Sequence, residues 1–223
     1  MCLGETDNPT TKLMNIMRQI SLKSILSIPL LLTMATAVPA QQVEKGFVSL
    51  FDGKTLEGWK INEAPEAFSV HEGAIKANGN RCHLFYQGPV NQGKFKDFEL
   101  RLDVMTLKNS NGGVFIHTVF QNDGWPSGYE IQVNNTQEDV QKSGGLYNTV
   151  PNAVPFKDDV WMKYVIIVKN GKVKVSVDGK ELVNHKPEPD QSKLLPDGGT
   201  IAIQSHDPGS TTMYKNIRIK LLD

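Results

Sequence analysis

Val160-Trp161-Met162-Lys163-Tyr164-Val165-Ile166-Ile167-Val168-Lys169-Asn170-Gly171-Lys172-Val173-Lys174-Val175-Ser176-Val177 is the stretch that decides the fold. After Gly171, valines alternate with lysine and serine, the two-residue period of a strand with one face buried and one face wet. Before Asn170 the run is rich in β-branched residues, which suit a pleated surface. Asn170-Gly171 sits between the two runs, and that dipeptide readily takes the positive-φ conformations of a tight hairpin turn. The reading is an antiparallel hairpin, followed by a second turn at Asp178-Gly179 that ends in Lys180-Glu181-Leu182.

Outward from this hairpin the same period recurs. Segments 47–51, 68–70 with 74–77, 98–106, 113–120, 129–133, 200–204 and 213–221 read as strands, with turn residues between them. In Phe98-Glu99-Leu100-Arg101-Leu102-Asp103-Val104 the apolar residues alternate strictly with charged ones. No segment carries a helical apolar stripe. Short strands at this spacing predict an all-β, two-sheet antiparallel sandwich. The stretches 121–128, 134–159 and 184–199 are long for hairpin connections, and long loops on a rigid sandwich are where a site is built. Trp59 and Trp161 read as core residues.

The first forty residues read differently. From Met17, a basic Arg18 and Lys23 precede an apolar run from Ile25 to Val38, then Val38-Pro39-Ala40 before Gln41-Gln42. That order matches the basic, apolar and small-residue parts of a secretory signal peptide. The alternative is a membrane anchor, but Pro29 and Pro39 bracket a run shorter than the roughly 20 apolar residues of a spanning helix. Residues 1–40 are therefore expected to be an upstream extension plus signal peptide, and 41–223 a single domain, exported to the periplasm or outside the cell, with no stable membrane span after cleavage. The whole chain has 24 basic and 24 acidic residues. With no basic block, nothing points to nucleic acid. Its two cysteines are Cys2 and Cys82, so residues 41–223 hold one cysteine and no internal disulfide.

Six motifs, in order, carry a resemblance. They are Phe47-x-x-Leu50-Phe51-Asp52-Gly53-Lys54-x-Leu56-x-Gly58-Trp59, Asp97-Phe98-Glu99-Leu100, Asn109-Ser110-Asn111-Gly112-Gly113-Val114-Phe115, Gly128-Tyr129-Glu130-Ile131-Gln132, Ser143-Gly144-Gly145-Leu146-Tyr147, and Gly199-x-Ile201-x-Ile203-Gln204-x-His206 with Asn216-Ile217. Together they resemble the 3-keto-disaccharide hydrolase family from residue 47 to about 221. The resemblance implies a jelly-roll sandwich of the concanavalin A-like lectin and glucanase type, a carbohydrate substrate, and cleavage of glycosides oxidised at C3. The chain departs from the family pattern at His117 and Lys215, where the family carries arginine; each replaces a fixed guanidinium fork by a different donor.

Glu130 and Gln132 are two apart on one predicted strand, so both side chains point into the same space, opposite Tyr129, Ile131 and Val133. The bland alternative is a solvated polar face, against which the family motif favours a concave groove. Gln204 and His206 fall on one side of another strand if it continues through both; His206 suits proton exchange or metal ligation, or is a surface histidine. His117 shares a face with Phe115 and either lines the same sheet as Glu130 or satisfies a core hydrogen bond. Trp125 and Tyr147 stand in glycine-containing loops, where an aromatic ring stacks on a sugar or plugs the end of the sandwich. By the motif, Asn109 shapes the site entrance. His71 and His185 read as surface histidines, and His83 lies beside Arg81 in a predicted loop.

A retaining glycosidase needs two carboxylates about 5–5.5 Å apart. The strand partners of Glu130 are Gln132 and Asn134, neither of which is acidic, so two-carboxylate hydrolysis requires Glu138 or Asp139 to fold back into the site. A 3-keto sugar needs less, because the ketone acidifies the C2 hydrogen, so one base and a group that stabilises the enolate suffice to eliminate the C1 substituent. Glu130 and His206 form that smaller set, with room for a divalent cation as electrophile. Which of the two is the base stays open, as does a non-catalytic carbohydrate-binding module in which Glu130, Gln132 and Gln204 merely hydrogen-bond sugar hydroxyls.

Overall fold

The computed structural model describes residues 44–222. The expected signal peptide and its expected cleavage point before Gln41 lie outside the described residues. Thirteen strands follow in chain order: β1 Val48–Ser49, β2 Trp59–Ile61, β3 Phe68–His71, β4 Ala74–Ala77, β5 Cys82–Tyr86, β6 Phe98–Thr106, β7 Asn111–Thr118, β8 Tyr129–Asn134, β9 Met162–Lys169, β10 Lys172–Val177, β11 Lys180–His185, β12 Thr200–Ser205 and β13 Thr212–Leu221. They form two antiparallel sheets. The larger runs β11-β10-β9-β6-β13-β4-β3 with β1 added beside β13; the smaller runs β2-β5-β12-β7-β8.

The deciding hairpin forms as its sequence requires. Lys169 pairs with Lys172, and Asn170 and Gly171 take φ of +52° and +71°. β10 then turns at Asp178-Gly179 into β11, which extends past the predicted turn to His185. β6 alternates buried and half-buried residues along its full length.

Between the sheets, Leu100, Leu102 and Val104 of β6 join Tyr164 and Ile166 of β9 and Ile131 of β8 in one buried core. Trp59 belongs to it, its indole nitrogen donating to the Leu50 carbonyl at 2.8 Å. Trp161 does not. It precedes Met162, whose side chain is buried, and lies half-buried with the Lys215 ammonium 3.9 Å over its ring. Cys82 is buried with a free thiol.

Candidate active site on the small sheet

Alternation on the small sheet sends one set of side chains into the core and the other onto the opposite face. On β8, Tyr129, Ile131 and Val133 enter the core while Glu130 and Gln132 take the outer face. The ladder pairs Glu130 with Phe115 and Gln132 with Gly113 on β7. The missing side chain of Gly113 matters, because a Cβ there would lie 2.4 Å from Glu130 Oε1. The carboxylate therefore rests over bare backbone.

These residues open into a cavity of about 390 Å³, lined by Asn111, Trp125, Glu130, Gln132, Asp139, Tyr147, Gln204 and His206. Six of them are residues that the sequence singles out as site candidates. Tyr147 is held there because the segment after β8 folds back along its edge: Tyr147 N–H donates to the Glu130 carbonyl and Gln132 N–H to the Gly145 carbonyl, both at 2.9 Å. Gln132 is fixed by its amide nitrogen, which donates to Asn111 Oδ1 at 2.9 Å.

Two expected positions are corrected. His117 does not line the cavity. It adopts φ of +53° where the β12–β7 register shifts between Thr200 and Ala202, and this bulge breaks the alternation that would have put it beside Phe115. Its Nε2 meets the Lys96 carbonyl at 2.9 Å, its Nδ1 accepts from Leu195 N–H at 3.0 Å, and its ring stacks on Phe98. This is the core-satisfying alternative. Asn109 sits exposed in the turn before β7, its N–H donating to Thr136 Oγ1, and Asn111 two residues later reaches the cavity instead.

Asp139 is the conditional residue that does fold back; Glu138 stays exposed. His83, expected in a loop, lies on β5, completely buried. Sequence reasoning also misses Asp207, although its position directly after His206 in a Pro-Gly turn is the available signal.

The two proton-transfer candidates sit in different surroundings. Glu130 makes no side-chain hydrogen bond among the described residues; burial, then the nearby Asp139 charge, push its carboxyl up to about 8, with Lys193 opposing. At neutral pH it is mainly a protonated acid. His206 Nδ1 lies 2.7 Å from Asp207 Oδ2, which also accepts from Ser210 Oγ at 2.7 Å. Burial works against the Asp207 charge, but the hydrogen bonds from His206, Ser210 and Gly209 N–H hold its carboxyl below the usual range. An ionised Asp207 accepts a hydrogen bond from Nδ1–H, the tautomer that leaves the acceptor lone pair on Nε2. Among the described residues no three of His, Cys, Asp and Glu are grouped to hold a metal ion. None of the helices there is long and apolar enough to cross a membrane.

Fold and site together define a concanavalin A-like sandwich with a carboxyl and an imidazole in one cavity on the outer face of its smaller sheet. The chain belongs to the family of the 3-keto-alpha-glucoside-1,2-lyase-like domain, whose model matches residues 46–220. It is 25% identical, over 80% of its length and 79% of the relative's, to a 3-keto-disaccharide hydrolase of Bacteroides thetaiotaomicron. Among solved structures it resembles a putative glycosyl hydrolase from Parabacteroides distasonis, with a TM-score of 0.70 at 20% identity, covering 82% of this chain and 99% of that one. It also resembles the exoplasmic/lumenal domain of VIP36 bound to Ca²⁺ and Man3GlcNAc, with a TM-score of 0.57 at 10% identity, covering 81% and 90%.

Proposed function

We propose that the protein cleaves 3-keto-glycosides, with His206 as base and Glu130 as acid. The observation that carries this reading is the pairing, in one cavity, of a carboxyl held protonated by burial with an imidazole held by an aspartate. His206 Nε2 takes the proton from C2 of the oxidised sugar. The electron pair of that C–H bond forms a C1–C2 double bond as the C1–O bond breaks, and the departing oxygen takes the proton of Glu130. Addition of water across the new double bond completes a net hydrolysis. Gln132 and Gln204 hydrogen-bond the sugar, and Tyr147 and Trp125 bound it. Family membership and the similarity to a 3-keto-disaccharide hydrolase support the substrate class.

A second reading has its own observation. Asp139 lines the same cavity and raises the Glu130 carboxyl, the environment of an acid beside a second carboxylate in ordinary glycoside hydrolysis. One experiment separates them. A 3-keto-glucoside and its unoxidised parent are incubated in D₂O, following aglycone release and deuterium at C2. Release from the ketone alone, with C2 exchange, is expected; equal release from the parent without exchange overturns the elimination in favour of Glu130 and Asp139. Binding of both without release would make this a carbohydrate-binding module.

A further inference from the structure

The face that carries Glu130 holds more unpaired polar groups than the cavity itself. His83 on β5 and Gln204 on β12 are register partners, so their side chains stand together on that face. Both are buried, His83 completely and Gln204 to 1% exposure. Both ring nitrogens of His83, both amide atoms of Gln204 and Oε1 of Gln132 have no hydrogen-bond partner among the described residues. Buried polar atoms are nearly always paired, and a cluster left unpaired costs stability unless a ligand or water completes it.

What covers His83 is Trp125, with ring centroids 5.8 Å apart. The indole is 55% exposed, and its nitrogen has no hydrogen-bond partner among the described residues. The loop backbone is tied down, since Gln121 Nε2 donates to the Asp123 and Trp125 carbonyls at 2.7 and 2.8 Å. The indole itself is held by ring contacts, to His83, Arg81 and His206. Phe115 closes the far side of His83, edge to face at 5.3 Å.

We propose that the sugar site continues beneath Trp125, with His83 and Gln204 as its inner hydrogen-bonding pair, receiving the hydroxyls of an uncharged pyranose once the indole turns aside to stack on that ring. This rests on the reading of the cavity as a glycoside site. The chemistry of the pair selects the ligand. A neutral imidazole and a primary amide each present both a donor and an acceptor, which matches hydroxyl groups that do the same. Burial, with Arg81 and His206 nearby, keeps His83 neutral at physiological pH. An anionic sugar meets no counter-charge in the cavity lining, which has Glu130 and Asp139 but neither Lys nor Arg, and Arg81, which packs on Trp125, is paired with Glu63 at 2.8 Å.

The test titrates trehalose, maltose and cellobiose, with cellobiouronic acid as the anionic counterpart, into the wild type and three variants, following tryptophan emission and calorimetric heat. At least one neutral disaccharide should change the emission, and Trp125→Phe should abolish that change. His83→Leu should weaken binding roughly 10- to 100-fold, the scale of a lost buried hydrogen-bond partner, with a thermal midpoint equal to or above the wild type. His83→Asn should recover part of the affinity. Unchanged affinity in His83→Leu, a lower midpoint as its only effect, equal binding of the uronic acid, or no binding of any of the three disaccharides overturns the proposal. Should 3-keto-glycosides resist cleavage while this pattern holds, the proposed chemistry fails and the subsite stands.

Discussion

At the residue scale, Glu130 and His83 are both pushed by burial towards their neutral forms, and both carry pH signatures. The Glu130 carboxyl moves from 4.5 to about 8, so its acid role should be lost as pH rises through about 8. Between those values the folded chain keeps a proton that the unfolded chain releases, so stability falls with rising pH across this window. Glu130→Gln removes the ionisation. Turnover of a 3-keto-glycoside should fall at least ~10²-fold, as for the loss of a general acid. Its thermal midpoint should exceed the wild type by a margin that grows from pH 4.5 to 8. Calorimetry across that range checks the sign; a midpoint below wild type at pH 8 would place Glu130 in a structural role. His83 moves the other way, from 6.5 to about 3, under burial and then the charges of Arg81 and His206. The unfolded chain here binds the extra proton, so wild-type stability falls as pH drops from 6.5 towards 3. His83→Leu should therefore gain on the wild type progressively through that acid range, as read from urea midpoints.

At the scale of elements, the site depends on what strands leave out as much as on what they carry. Gly113 on β7 exists in its present form because the Glu130 side chain occupies the volume of its absent Cβ. Gly113→Ala should expel the carboxylate from its place, lowering kcat about as far as Glu130→Gln does, while circular dichroism stays that of the folded sandwich. Normal activity in Gly113→Ala would mean the carboxylate works from another position. Strand periodicity made β6, β8 and β10 legible from sequence, since each has one core face and one distinct outer face. β5 was not legible, and the reason is physical. Cys82-His83-Leu84-Phe85-Tyr86 is buried on both faces, with Leu84 and Tyr86 in the main core and Phe85 in a second apolar cluster with Phe115 and Ala202, so no alternation marks it. His83 was lost with the strand. His117 was misplaced for a different reason: a single positive-φ residue reverses its side, and no spacing rule registers a bulge.

At the scale of the whole molecule, the proposed export has a direct check: mass spectrometry of protein from its native host should find the chain beginning near Gln41, and an intact segment 20–40 would refute cleavage. The described domain itself separates two tasks between the faces of its small sheet. The face between the sheets is apolar and closed; Leu100, fully buried there, should cost ~2–5 kcal/mol on truncation to alanine. In a domain of this size that lowers the thermal midpoint by roughly 5–15 °C, with kcat of the folded fraction unchanged. The outer face has the opposite balance, for Gln204 is buried with neither amide atom paired among the described residues. Gln204→Leu replaces it by an apolar chain of similar length and removes an unpaired amide, relieving a penalty of about 1–3 kcal/mol. It should raise the midpoint by a few degrees and weaken sugar binding at the same time. The two substitutions are expected to move stability in opposite directions and function in only one case. If Gln204→Leu lowers the midpoint as Leu100→Ala does, the outer face is a second core and its polar atoms are bonded in a way that no ligand completes.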